Sequence, residues 1–182
     1  MASSELDINP VTMSTFDINN FDIEKIVDAV ITVLTQRGSS TYKTDTHQLA
    51  QGLPTSVYTQ YGTLFIALPD MLFIQQLADG HSGENNVAVK SVYEALSYGL
   101  TLKISLHQQL LSSLPLEKLS VLPVHLYDQL GNPIGLETGS IISYQQVITF
   151  SGKWLVAPHN ILVTQLAKDI LIQKNIHLIK VR

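Results

Sequence analysis

The residues best able to bind a metal or move a proton in this chain are six histidines, at positions 47, 81, 107, 125, 159 and 177. No two of them share the i, i+3 or i+4 spacing that places a ligand pair on one helical face, so no metal site is expected. The chain has no cysteine, which removes thiolate nucleophiles, cysteine-ligated zinc, iron–sulfur clusters and disulfides. It also has no G-x-G-x-x-G turn, no G-x-x-x-x-G-K-[ST] phosphate loop, no H-E-x-x-H motif and no G-x-S-x-G nucleophile elbow. What remains is positional. In open α/β sheets, ligands gather beyond the carboxyl ends of the strands. Asp70 follows an apolar run ending at Leu68, His107 one ending at Leu106, and His159 and Asn160 one ending at Ala157. If those strands are parallel neighbours, the four side chains converge on one rim and form a pocket for a small molecule, in the manner of a flavoprotein. The plainer alternative is that Asp70 caps a helix, His107 satisfies a loop carbonyl and Asn160 makes a turn.

The elements that would position these groups follow from the hydrophobic pattern. The stretch Glu94–His107, EALSYGLTLKISLH, hands a helix over to a buried strand. Gly99 stands where a helix C-cap needs positive φ, and the period then shortens to the apolar run Leu100–Leu106. Before this joint, a strand Thr63–Leu68 is stopped by Pro69, and a helix Met71–Ala78 presents Met71, Leu72, Ile74 and Leu77 to the core. Val57, Tyr58 and Tyr61 are expected on an edge strand. After the joint come short helical turns over Gln108–Ser113 and Leu116–Leu119, and a hairpin through Asp128–Pro133 (DQLGNP). Ser143 opens a short helix, Lys153–Ala157 forms a strand, and Thr164 caps a helix Gln165–Lys174 whose core face is Leu166, Ala167, Ile170 and Leu171. A last strand occupies Ile176–Val181. The expected fold class is therefore α/β, a layered and mostly parallel sheet flanked by helices, with an inserted β-hairpin.

A chain of 182 residues with 45% hydrophobic and 14% charged side chains is globular. Its formal charge of -4, with no Lys/Arg cluster, argues against a nucleic-acid partner. No apolar run approaches the length of a membrane span, and a cytoplasmic protein without membrane contact is expected. Residues 1–20 show no period and are expected to be a flexible extension; Met13 offers an alternative start that would leave Met1–Thr12 as an added segment.

Residues 21–37 form the clearest helix. Ile23, Ile26, Val27, Val30, Val33 and Leu34 follow helical spacing, opposite Glu24, Lys25, Asp28, Thr32 and Gln36. Asn20 or Asp22 can cap it and Gly38 ends it. An isolated helix of this length is marginal in water, so its apolar stripe needs a cover. Either the chain's own domain supplies it, or the stripe docks in a groove of another protein. The second reading gains from residues 38–55, whose Ser, Thr, Gln and Gly content reads as a polar linker before an α/β domain over 56–182.

Taken together, several of these stretches resemble the propanediol-utilisation microcompartment protein M family. The resemblance is carried by the joint ALSYGLTLKISLH, the following QLLSSLPLEKLSVLP, the hairpin YDQLGNPIGL, the stretch GSIISYQQV and the closing VTQLAKDILIQKNIHLIK. It implies a non-catalytic component of the protein-shelled compartment that degrades 1,2-propanediol, needed for assembly, with shell or lumen proteins as partners. It supplies no catalytic residue and no cofactor. It also sharpens the helix, since amphipathic terminal helices are a recurring way for cargo to attach to shells. The expected partner-binding residues are Ile23, Ile26, Val27, Val30, Val33 and Leu34. Two competing readings stay open: an enzyme or cofactor-binding domain using the rim, and a homo-oligomer in which the helix pairs with its own copy.

Overall fold

The structure, a computed structural model, describes residues 23–80 and 86–181. The expectations for residues 1–20, for the caps at Asn20 and Asp22 and for most of the loop after Gly80 fall outside those residues. The chain divides into two compact units, Met1–Leu34 and Thr35–Arg182.

In the first unit the amphipathic pattern does form a helix, α1 (Ile23–Ser39), which runs through Gly38 instead of stopping there. Its last turn, from Thr35, belongs to the second unit.

The second unit is an α/β fold built on a seven-stranded sheet. Its elements in chain order are β1 (Thr41–Thr44), α2 (Thr46–Ala50), α3 (Thr55–Gln60), β2 (Thr63–Ala67), α4 (Met71–Asp79), α5 (Val87–Ser97) and β3 (Thr101–Leu106). A 3₁₀ turn (Gln108–Ser113) leads to α6 (Leu116–Val121), β4 (Val124–Asp128), β5 (Pro133–Leu136), β6 (Ile141–Ile142) and α7 (Tyr144–Thr149). The chain then runs through β7 (Trp154–Pro158), β8 (Leu162–Val163), α8 (Gln165–Gln173) and β9 (His177–Val181). The strand order is β1-β2-β3-β4-β5-β7-β9, with β6 and β8 forming a separate two-stranded sheet. Every neighbouring pair in the large sheet is parallel except β4 and β5. The expected hairpin is therefore the point at which the sheet reverses direction.

That reversal decides where the helices go. Crossovers between parallel strands are right-handed, so a progression across the sheet puts its helices on one face when strands point one way and on the other face when they point back. The larger core packs Leu49, Phe73, Ile74, Leu77, Val92 and Leu119 from the early helices against Leu64, Ile66, Leu102, Ile104, Leu106 and Leu126. A second core packs Val147, Ala167 and Leu171 from α7 and α8 against Leu155 and Ala157. Val156 of β7 joins the larger core while its neighbours Leu155 and Ala157 join the smaller, so the two cores lie on opposite faces of that strand.

Several local expectations hold for the reasons given. Gly99 has φ 77° just past α5, as expected, and Asn175 takes the same role past α8 with φ 54°. Asp70 accepts from the Phe73 amide at 2.8 Å, and Thr164 accepts from the Ala167 amide at 3.3 Å. Others are corrected. Residues 38–55, expected as a linker, carry β1, which pairs with β2, and α2, whose Leu49 is fully buried, so the sheet domain begins at Thr35 and not near Ser56. Neither element is long enough to show a period. Val57 and Tyr58 lie on α3 and not on an edge strand; their spacing with Tyr61 (i, i+1, i+4) suits a helix as well. Leu72 and Leu166 are exposed, and Phe73 is buried instead. The core-facing stripes of α4 and α8 are each turned slightly from the expected faces.

Candidate functional site

α1 has no buried residue. Ile23 is 71% exposed, Val33 60% and Leu34 56%, with Ile26, Val27 and Val30 near half. Ile31, 55% exposed, adds a seventh member that the six-residue stripe missed although it lies four residues beyond Val27. At about 100° per residue all seven fall within roughly half of the helix circumference. Glu24, Lys25, Asp28 and Thr32 occupy the opposite side, where the Thr32 hydroxyl donates to the Asp28 carbonyl at 2.7 Å. Scattered exposed aliphatics are ordinary, whereas seven on one stripe form a patch of the kind that marks an interaction surface.

The turn that closes α1 is held by the sheet domain. Arg37 donates through Nε to the Tyr61 carbonyl at 3.2 Å and through Nη2 to the carbonyls of Tyr58 (3.1 Å) and Tyr98 (2.7 Å). Tyr58 and Tyr98 stack, their ring centroids 5.2 Å apart, and so hold two of those carbonyl-bearing segments together. Gly62 lies so close that a Cβ there would meet the Arg37 carbonyl oxygen at 2.5 Å, which explains a residue with no side chain at that position. Sequence reading missed Arg37, because its acceptors are main-chain carbonyls contributed by distant segments.

The rim is not assembled as a single site. Asp70 and His107 follow β2 and β3, which are adjacent and parallel. His159 and Asn160 follow β7, which lies beyond β4 and β5 and runs antiparallel to β2 and β3. The condition for convergence, parallel neighbouring strands, thus fails for the second pair. Asp70 serves as the α4 cap. The His107 ring meets the Gln129 side chain through Nδ1. His159 donates its amide to the Val181 carbonyl at 2.7 Å, and His159 and Asn160 line a separate shallow depression with Pro115, Glu117 and Lys118. Among the described residues no group of three or more histidine or carboxylate side chains gathers as a metal cluster would. None of the described helices is long and apolar enough to cross a membrane.

One buried polar centre was not foreseen. Asp128, 1% exposed, accepts from the amides of Leu130 (2.9 Å) and Asn132 (2.8 Å), from Asn132 Nδ2 (2.8 Å) and from Trp154 Nε1 (3.0 Å). It pins the β4–β5 turn and ties it to β7. The D-x-x-G-N pattern marks the turn, but nothing in the sequence marks the indole donor.

Residues 25–177 match the family model described as "Putative propanediol utilisation". Over 163 residues the chain is 33% identical to the bacterial microcompartment assembly protein PduM of Salmonella typhimurium (strain LT2), a match covering 90% of this chain and 99% of that protein. It is 34% identical over 163 residues to the protein of the same name from Citrobacter freundii, with the same coverage. No solved structure matches the chain.

Proposed function

The chain belongs to the propanediol-utilisation family that it matches over residues 25–177, and from that premise we propose that it is a non-catalytic assembly component of a bacterial microcompartment. In this reading it joins shell and lumen proteins, with α1 engaging one partner and the sheet domain another. The relatives named as microcompartment assembly proteins support the role, since the match spans nearly their whole length. The observation that carries the mechanism is the uncovered stripe of α1. Helix-in-groove docking buries an amphipathic face through anchors at i, i+3, i+4 and i+7, and Ile23, Ile26, Val27 and Val30 have that spacing. About half or more of each of these four side chains is still open to solvent, so burying the remainder is worth roughly 3–6 kcal/mol before the costs of association, to which the other three residues of the stripe would add.

The test is fractionation of the full-length tagged chain from cells making 1,2-propanediol compartments. Recovery with intact purified compartments, at a constant ratio to shell protein and resistant to washing, is the expected result. A chain found wholly in the soluble fraction contradicts the proposal.

A further inference from the structure

The two faces of the sheet are not covered alike. Helices α2 to α6 pack across one face, while α7 and α8 cover the other under β7. On that second face, β1 to β4 carry side chains that belong to neither core. The parallel register aligns Lys43, Phe65, Lys103 and His125 in one row across the four strands. Thr41, Thr63 and Thr101 form the row before it, and Ala67, Ser105 and Tyr127 the row after. Phe65, Lys103 and Tyr127 are half-buried and Lys43 and His125 exposed. The surface is concave, a groove of about 620 Å³ with Phe65, Lys103, Ser105 and Tyr127 among its lining residues and Leu68 and Leu130 beside them.

We propose that this open half of the sheet is a second docking surface, and that its occupant is an acidic amphipathic segment of a protein partner. Charge selects the occupant. On a chain of net charge -4, these three rows carry two lysines and no carboxylate. Neither lysine has an ion-pair partner among the described residues. Asp128, the carboxylate among the groove's lining residues, is buried and already accepts from Leu130, Asn132 and Trp154. The apolar ridge of a docked segment would sit on Phe65 and Tyr127, with its flanking carboxylates reaching Lys43 and Lys103.

Backbone strain points to the same place. Leu68 has φ 45°, a conformation disfavoured for a leucine, and its side chain is 41% exposed beside the groove. Its amide is fixed there by the Ser105 carbonyl at 3.1 Å and the Ser105 hydroxyl at 3.2 Å. The fold thus holds an apolar side chain out at the groove at a cost in backbone energy.

This site would supply the sheet-domain half of the linking role, and it rests on that reading for its place in the compartment but not for its chemistry. The probe is a pair of short helical peptides with identical leucine stripes, one with glutamate and one with lysine on the flanks, titrated into the full-length chain. The glutamate peptide is expected to shift the amide resonances of Phe65, Lys103 and Tyr127, and to bind more weakly as salt is raised. Lys43→Glu with Lys103→Glu should weaken it at least about tenfold and turn the preference toward the lysine peptide. Lys43→Gln with Lys103→Gln, a milder change on the same strands, should weaken it in the same direction. Binding retained by a chain carrying Ile26→Asp and Val30→Asp supports this site independently of α1. Equal binding of both peptides, shifts confined to α1, or self-association through this face would overturn the proposal.

Discussion

Replacing Ile26 and Val30 together by aspartate is expected to lower attachment of the full-length chain to microcompartments roughly a hundredfold or more, since two central apolar anchors each contribute on the order of 2 kcal/mol. Both side chains lie near the middle of the stripe, where a docked groove would exclude water most completely. An aspartate there would have to be buried unpaired or keep the groove open. The sheet domain should not notice: the two residues are about half exposed and α1 has no buried residue, so the unfolding free energy should change by less than about 0.5 kcal/mol. The measurement is the organelle-bound fraction, together with the unfolding midpoint of the same protein. Attachment at the wild-type level by a folded double variant would exclude the stripe as the anchor. A wild-type dimer that this variant dissolves would reassign the stripe to self-pairing.

Asp128→Ala is expected to destabilise the sheet domain by on the order of 3 kcal/mol, because it leaves the Trp154 indole and the donors of Leu130 and Asn132 without their acceptor in a buried site. For a chain of this size that corresponds to a fall in Tm of roughly 6–12 °C. Burial by itself would raise the Asp128 carboxyl, but the side chains of Asn132 and Trp154 and the amides of Asn132 and Leu130 outweigh it and hold the group below the usual carboxylate range. A depressed folded value means that the carboxylate's stabilisation is complete above its unfolded value of about 3.9 and is lost as pH falls through the folded one. The wild type should therefore lose stability in acid below about pH 4, and Asp128→Asn, which has no charge to lose, should flatten that part of the profile. Urea unfolding at several pH values checks both statements. A cost below about 1 kcal/mol at neutral pH, or an unchanged acid limb in the asparagine variant, would contradict this account of Asp128.

The layered α/β class, the αβ joint at Gly99 and the caps at Asp70 and Thr164 were legible because each depends on a short local signal: a change of period, a glycine, or an oxygen before an apolar run. The stripe of α1 was legible for the same reason. What escaped depends on pairing. Four residues such as Thr41–Thr44 can join a sheet without displaying any period, so β1 read as linker. The rim failed because His107 and His159 follow apolar runs that look alike, and only the β4–β5 reversal sends their strands in opposite directions. Lys103 reads simply as a polar residue in an apolar strand until register sets it between Phe65 and His125. Arg37 and Trp154 likewise gain their roles from partners far along the chain.

The most direct test of the central claim is to fuse Asn19–Gly38 to a fluorescent reporter in cells that make propanediol microcompartments and measure the reporter in purified organelles. Enrichment of the reporter well above an unfused control, lost when Ile26 and Val30 are replaced by aspartate, is the predicted result. A reporter that stays soluble while the full-length chain co-purifies would contradict it, and would transfer the attachment to the sheet domain.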